Sequence, residues 1–426
     1  MGVAKTPIVR KLGQGRAGTV AYGRFLANPN VRFGDIFAAA GAQCGARARG
    51  RRVLAIQDTT HLSYPGRPLG PGGDGKVAGL FLHPVLVLDA SDGTALGLAA
   101  GRVWTRKDEK VANRHTRAFE DKESERWLGE GAAARTALAE AAHVLMIADR
   151  ESDIYEEWAL LPRRGQDGAD FDLLTRAQAD RKLADGGMLF AAAAAWREAG
   201  RTKIEILARK DRVARTATLA LKFGEVRIKK PARCRTKGIP ATITLRLVEV
   251  AEIDAAADVE PVHWRLLTTC AVDSAEDAFA MVGAYRQRWR IEEYFRTVKR
   301  SGMDLESARL EGAHALHNLV AMGAVAGVPV MQLLEGRDAG PERRASEVIG
   351  PDLLIFAAAL CATLEGKTQK QKNPNAAGSL AWLTWIVARL GGWSGYQRYG
   401  PAGPKTVADG WHIFTTMQHG WALKNM

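Results

Sequence analysis

The sequence predicts a mixed α/β protein in which an α/β core is interrupted by a mostly β segment and followed by a helical C-terminal region. Three observations carry that expectation. Two short apolar runs, "VLAIQD" and "HVLMIAD", each end in an acid, the mark of buried strands whose C-terminal ends open on a site. Between residues 171 and 269 the pattern turns to alternation, as in "KIEILAR", "TATLALKF", "EVRIKK" and "TITLRLVEV", separated by Gly, Pro and charged turns. Past Gly302 the chain is rich in Ala and Leu at helical spacing, broken by "GRDAGPE", "GKTQKQKNPN" and "GPAGPKT".

Length and composition fit that class. A chain of 426 residues, 46% of them hydrophobic, can bury a large core and build two or three domains. Sixty Lys and Arg against 47 Asp and Glu give a net charge of +13, which points to a polyanionic partner such as nucleic acid. Cys44, Cys234, Cys270 and Cys361 are far apart and form no CxxC pair, so neither a disulfide framework nor a zinc site is indicated. The N-terminal "MGVAKTPIVRKLGQGRAG" has no apolar core of a signal peptide, and no uninterrupted apolar run reaches the ~18 residues of a membrane span. A cytoplasmic protein is expected.

The elements follow in order. "VLAIQD" places Asp58 at the end of a first strand, after an "ARARGRR" run that reads as a solvated linker. "FLHPVLVLDASDGTALGLAAGRVW" has two apolar runs about Asp92-Gly93 and predicts an antiparallel hairpin. A helix is expected over about Lys122 to Ala141, with Leu128, Ala132 and Leu138 near one face, and then "HVLMIAD" brings Asp149 to a second strand end. Strand, hairpin, helix and strand, with acids at two strand ends, resemble the ribonuclease-H-like arrangement. Ser274 and Asp277 have the spacing of a capping box and open a long helix that runs to about Lys299, ahead of Ser301-Gly302.

That helix carries "YRQRWRIEEYFRTVKR", where Glu292 and Glu293 sit among six Lys and Arg. At ~100° per residue, Tyr285, Arg288, Glu292 and Lys299 fall at about 0°, 300°, 340° and 320°, one stripe bordering the apolar face of Ala284, Ile291, Phe295 and Val298. Two readings stand. The stripe is either a solvated basic face with an Arg288–Glu292 pair at i,i+4, or one wall of a cleft. Two strand-end aspartates favour the cleft, and three carboxylates converging there would repel without cations between them. Mg²⁺ suits such oxygen ligands, and two ions about 4 Å apart can serve both the attacking and the leaving oxygen of a phosphodiester.

"IQDTTHLSY", "ADRESDIYEEW" and "YRQRWRIEEYFRTVK" resemble the three catalytic blocks of the bacterial DDE transposases of the insertion sequence 4 group. The third matches the signature Tyr-x2-Arg-x3-Glu-x6-Lys at each defined position. The resemblance implies that Asp58, Asp149 and Glu292 are a catalytic triad binding Mg²⁺, or Mn²⁺ as a substitute. Tyr285, Arg288 and Lys299 would contact phosphates near the transposon end. Trp264, 21 residues before Tyr285, resembles the tryptophan that stacks on a flipped base, the other reading being a tryptophan packed within the β insertion, with Trp289 as a second DNA contact or a packing residue. It also implies double-stranded DNA as substrate and a homodimer. The expected organisation is a short DNA-binding segment over 1–51, a catalytic domain over 52–330 with its β insertion at about 171–269, and a helical, dimerising region over 331–426. His314 and His317 read as surface or packing histidines, and Glu293 points about 100° away from Glu292. The competing functions are a degenerate copy that binds DNA without completing transposition, and a basic nucleic-acid-binding protein whose acids are structural.

Overall fold

The structure is a computed structural model that describes residues 7–424 apart from 14, 74, 76, 107–118, 207–212, 254, 257–258, 302, 338–339, 341 and 397–399. The expected class is what it has: one mixed ten-stranded sheet with helices packed on both faces. Three N-terminal helices, α1 (Val9–Leu12), α2 (Arg16–Ala27) and α3 (Phe33–Ala48), precede β1 (Arg52–Gln57) and β2 (Thr60–Ser63). Next come β3 (Gly79–Asp89), β4 (Ala95–Trp104), α4 (Glu125–Ala137), β5 (His143–Ala148), α5 (Tyr155–Leu160) and β6 (Asp170–Arg176). The β-rich run continues with α6 (Leu189–Ala195), β7 (Gly200–Ile206), β8 (Arg215–Lys229), β9 (Thr242–Ile253) and β10 (His263–Thr268). The last residues of "KIEILAR", 207–209, lie outside the described residues. "TATLALKF" and "EVRIKK" form one strand, β8, instead of two.

The sheet has the order β2-β3-β1-β5-β6-β10-β9-β8-β7, with β4 also paired to β3. β1, β5 and β6 are parallel neighbours, and the rest of the pairs are antiparallel. The β-rich run therefore extends the same sheet, with β6 seated beside β5. β1 is buried at every position after Arg52, as expected of a strand with both faces covered. Leu54 and Ile56 enter the core beneath the C-terminal helices, while Val53 and Ala55 enter the one beneath α4 and α5. Helix α3 lies against β4 and α4 because Gly41 and Gly45 have no side chain: a Cβ would sit 2.5 Å from the Ala99 carbonyl oxygen and 2.1 Å from that of Ala137.

The helix expected over Lys122–Ala141 is shorter, and Asp92-Gly93 turns the β3–β4 hairpin as expected, with Gly93 at φ 74°. The long helix starts at Ser274 with the predicted capping box. It is not uniform: α7 (Ala275–Arg286) passes through a 3₁₀ turn at Gln287–Trp289 into α8 (Arg290–Arg296) and ends in a π turn at Thr297–Ser301. Gly302 lies outside the described residues. The remaining helices are α9 (Ala313–Gly336), α10 (Ser346–Ile349), α11 (Leu354–Leu364), α12 (Leu380–Leu390) and α13 (Pro404–Lys424). Among the described residues α9 alone is long and apolar enough to cross a membrane by length and composition. Most of it is buried against β4, α3, α12 and α13, so a core role accounts for its composition.

Candidate functional site

Register brings the two strand-end acids together. β1 and β5 run parallel with Ile56 opposite Ile147, so Asp58 and Asp149, each two residues further on, leave the sheet at the same level. The same count of two puts them on the face of Leu54, Ile56, Leu145 and Ile147, which is the face that α7 and α8 cover with Val282, Tyr285, Ile291 and Phe295. Asp58 sits in a break. β1 and β2 pair in succession along one edge of β3, and the continued register sets Asp58 opposite Pro84, which has no N–H to offer a ladder.

From the helix, Arg288 reaches into this corner. Its Nη1 donates to Asp58 Oδ2 at 3.3 Å and its Nη2 to Glu292 Oε1 at 3.1 Å. Burial pushes the Asp58 carboxyl up to about 6; the Thr59 N–H and the Arg288 charge oppose this, while the nearby Asp149 and Glu151 add to it. The backbone N–H of Thr59 donates to Asp58 Oδ1 at 2.7 Å, and that of Glu151 to Asp149 Oδ1 at 3.2 Å. Three carboxylates thus face one guanidinium, and the charge of Asp149 is felt at Asp58, Tyr285 and Arg288 alike.

The other candidates fall around this group. Tyr285 is buried, and its ring meets Trp264 edge-on at 5.4 Å, so the two residues spaced 21 apart in sequence are in contact. Trp264 itself is half-buried on β10, packed against the core. Trp289 is 41% exposed, with the Arg288 guanidinium 5.4 Å from its ring centroid. Lys299 lies in the π turn, where burial lowers its pKa and Glu306 opposes that fall. Glu306 in turn accepts from the Ser63 backbone N–H, so Lys299 stands beside β2. Glu293 is paired with Arg290 on another side of the helix, and Asp153 is buried in an ion pair with Arg181. His314 bonds the Asn28 carbonyl and His317 packs edge-on against Phe33.

Sequence reading missed the polar residues beneath the acids. Gln57, His83, Ser152 and Glu157 are buried and hydrogen-bonded to one another, on the opposite face of the sheet from Asp58. The available signals were weak: a glutamine closing an apolar strand, and a histidine inside another.

Among the described residues, the one group of His, Cys and acid side chains whose ligand atoms already converge within 4.8 Å is His143, Asp172 and Cys270. It sits at the other end of β5 from Asp149. Asp172 there is already bonded by Arg164, His143 and Thr269, which makes the group a satisfied charge network. Asp58, Asp149 and Glu292 offer oxygen ligands of the hard type that Mg²⁺ prefers, around the positive charge of Arg288.

Strand-end carboxylates facing a basic helix suit a site for phosphodiesters. Comparison with protein families narrows the class: residues 132–326 match the family model described as a transposase DDE domain. The matched span holds Asp149, Trp264 and the whole Tyr285–Lys299 stretch, while Asp58 precedes it. The match supports a DDE transposase.

Proposed function

We infer that this protein cuts DNA at transposon ends and joins the freed 3′-hydroxyl to target DNA, as a transposase of the insertion sequence 4 group. The observation that carries the reading is Arg288 held between Asp58 and Glu292, acids 234 positions apart that meet at one guanidinium. The match to a transposase domain supports the reading.

In this reading Asp58, Asp149 and Glu292 hold Mg²⁺, or Mn²⁺ in its place, in a ribonuclease-H-like core. Two bound divalent ions would activate a water or 3′-hydroxyl and stabilise the leaving oxygen. The chain's own groups bind and orient the substrate. Arg288 and Lys299 take phosphates, because guanidinium and ammonium donors make short, charge-assisted bonds to phosphate oxygens. Arg288 can do so once the carboxylates it now neutralises have cations instead. Tyr285 fixes the ring of Trp264, whose exposed part can stack on a base turned out of the duplex. Trp289 presents a second aromatic surface beside Arg288.

The division into an N-terminal DNA-binding segment (1–51), a catalytic domain (52–330) with its β insertion, and a dimerising region (331–426) belongs to the same reading. Ile355, Met417 and Trp421 are exposed on α11 and α13, which suits a homodimer holding two ends of duplex DNA. The net charge of +13 suits a cytoplasmic protein that stays on nucleoid DNA. The test is incubation with a duplex carrying the inverted repeats that flank the gene. Cleavage at the repeat that needs Mg²⁺ and stops with chelator supports the reading. Binding without cleavage under any divalent ion would point to a degenerate copy.

A further inference from the structure

We propose that Glu157 is a positioning residue that ties the Asp58 strand end to the Asp149 turn and so sets the spacing of the two acids for metal. This rests on the transposase reading of the same site. Glu157, on α5, is 1% exposed and has no cationic partner among the described residues, yet both its oxygens are hydrogen-bonded, one to the strand that leads to Asp58 and the other to the turn that follows Asp149. Gln57 Nε2, on the residue before Asp58, donates to its Oε1 at 2.7 Å, and Ser152 Oγ, three residues after Asp149, donates to its Oε2 at 2.5 Å.

The tie continues on the other side of Asp58. His83 is fully buried, and burial, with the charges of Arg126 and Arg102, holds its imidazole neutral, so it has one N–H. The partners fix which nitrogen bears it. His83 Nε2 donates to Gln57 Oε1 at 3.3 Å, and Nδ1 accepts from Thr59 Oγ1 at 2.8 Å; Thr59 Oγ1 accepts in turn from Arg126 Nε at 3.0 Å. Both neighbours of Asp58, Gln57 and Thr59, are therefore locked to one chain of bonds whose far end is the Asp149 turn. Thr59, His83, Gln57, Glu157 and Ser152 are each hydrogen-bonded to the next, and a chain of this kind fixes geometry instead of merely filling space. An apolar core would have cost less than burying a carboxyl here, so the arrangement needs a purpose other than stability.

The test measures Mn²⁺ binding to the full-length protein directly by electron spin resonance, beside the metal dependence of cleavage. Glu157→Ala should weaken Mn²⁺ binding at least tenfold and raise the metal concentration for half-maximal cleavage equally. Metal-free DNA affinity should stay within threefold of wild type. Glu157→Gln should retain near wild-type values, since its amide can accept from Gln57 and donate to Ser152. Ser152→Ala, which removes one bond and leaves the fold, should give an intermediate shift. Unchanged Mn²⁺ affinity in Ser152→Ala and in whichever Glu157 variants fold overturns the proposal, as does an equal loss in Glu157→Gln and Glu157→Ala. Failure of the wild type to bind Mn²⁺ in a way that Asp58→Ala abolishes would overturn the transposase reading itself, and the proposal with it.

Discussion

Arg288 donates to Asp58 at 3.3 Å across 230 positions of sequence, and the same guanidinium holds Glu292. One cation thus stabilises a cluster of acids that would otherwise repel, and it does so where a divalent ion would do the same. Arg288→Ala should therefore tighten Mn²⁺ binding in the absence of DNA, by several-fold. It should also flatten the slope of log K against log salt for DNA binding by about one unit, as a lost phosphate contact does. Lys299→Ala should flatten that slope similarly without affecting metal. Unchanged slopes in both variants would return the stripe to a solvated basic face.

Trp264 and Tyr285 meet edge-on, which makes the tryptophan part core and part surface. Trp264→Ala should leave the first nick nearly intact and slow the step that needs the flipped base by roughly 5- to 150-fold, for ~1–3 kcal/mol of stacking. Trp264→Phe should recover part of the loss. A gel resolving nicked from later products, run beside a melting curve, decides the matter: equal slowing of both steps with a lowered melting temperature assigns Trp264 to the core.

Trp289 is more exposed, so truncating it should cost little stability. Trp289→Ala should leave the melting temperature within about 2 °C, since surface changes usually fall within ~0.5 kcal/mol, while weakening DNA binding. A large fall in melting temperature with normal DNA affinity would make it a packing residue.

Glu157 gives a pH signature. Burial pushes its carboxyl up from about 4.5 to about 8, helped by the charge of Asp153 and opposed by the Ser152 and Gln57 bonds. The folded chain then holds a proton that the unfolded chain has lost between those values, so stability falls as pH rises through that window. Glu157→Gln removes the dependence. Its melting temperature should gain on the wild type steadily from pH 5 to pH 8.5; a constant difference would show that Glu157 ionises normally in the folded protein.

How much of this was legible in the sequence depends on whether the signal was local. "VLAIQD" and "HVLMIAD" announced buried strands because both faces are covered and the run before each closing acid is mostly apolar, and the Ser274 capping box announced its helix through a spacing of three. The helical stripe was legible only in outline. A 3₁₀ turn at Gln287–Trp289 and a π turn at Thr297–Ser301 change the angle per residue, so the even 100° projection places Lys299 beside Glu292 when its neighbour is Glu306. The merging of two alternating runs into β8 was hidden by Gly224-Glu225, which resemble a turn but pair with Leu247 and Arg246 of β9. Least legible was the buried chain of Gln57, His83, Ser152 and Glu157. Its members come from four elements, and only register brings them together.

The central claim is that Asp58, Asp149 and Glu292 act as one metal-binding set in DNA cleavage. The most direct measurement compares wild type with Glu292→Gln on a duplex bearing the flanking inverted repeat, scoring binding by gel shift and nicking on the same samples with Mg²⁺. Removing one negative charge while keeping the side chain's shape should leave the shifted complex in place and reduce nicking to below a few per cent of wild type, with Asp58→Ala and Asp149→Ala behaving alike. Substantial Mg²⁺-dependent nicking by any of the three variants would contradict the claim.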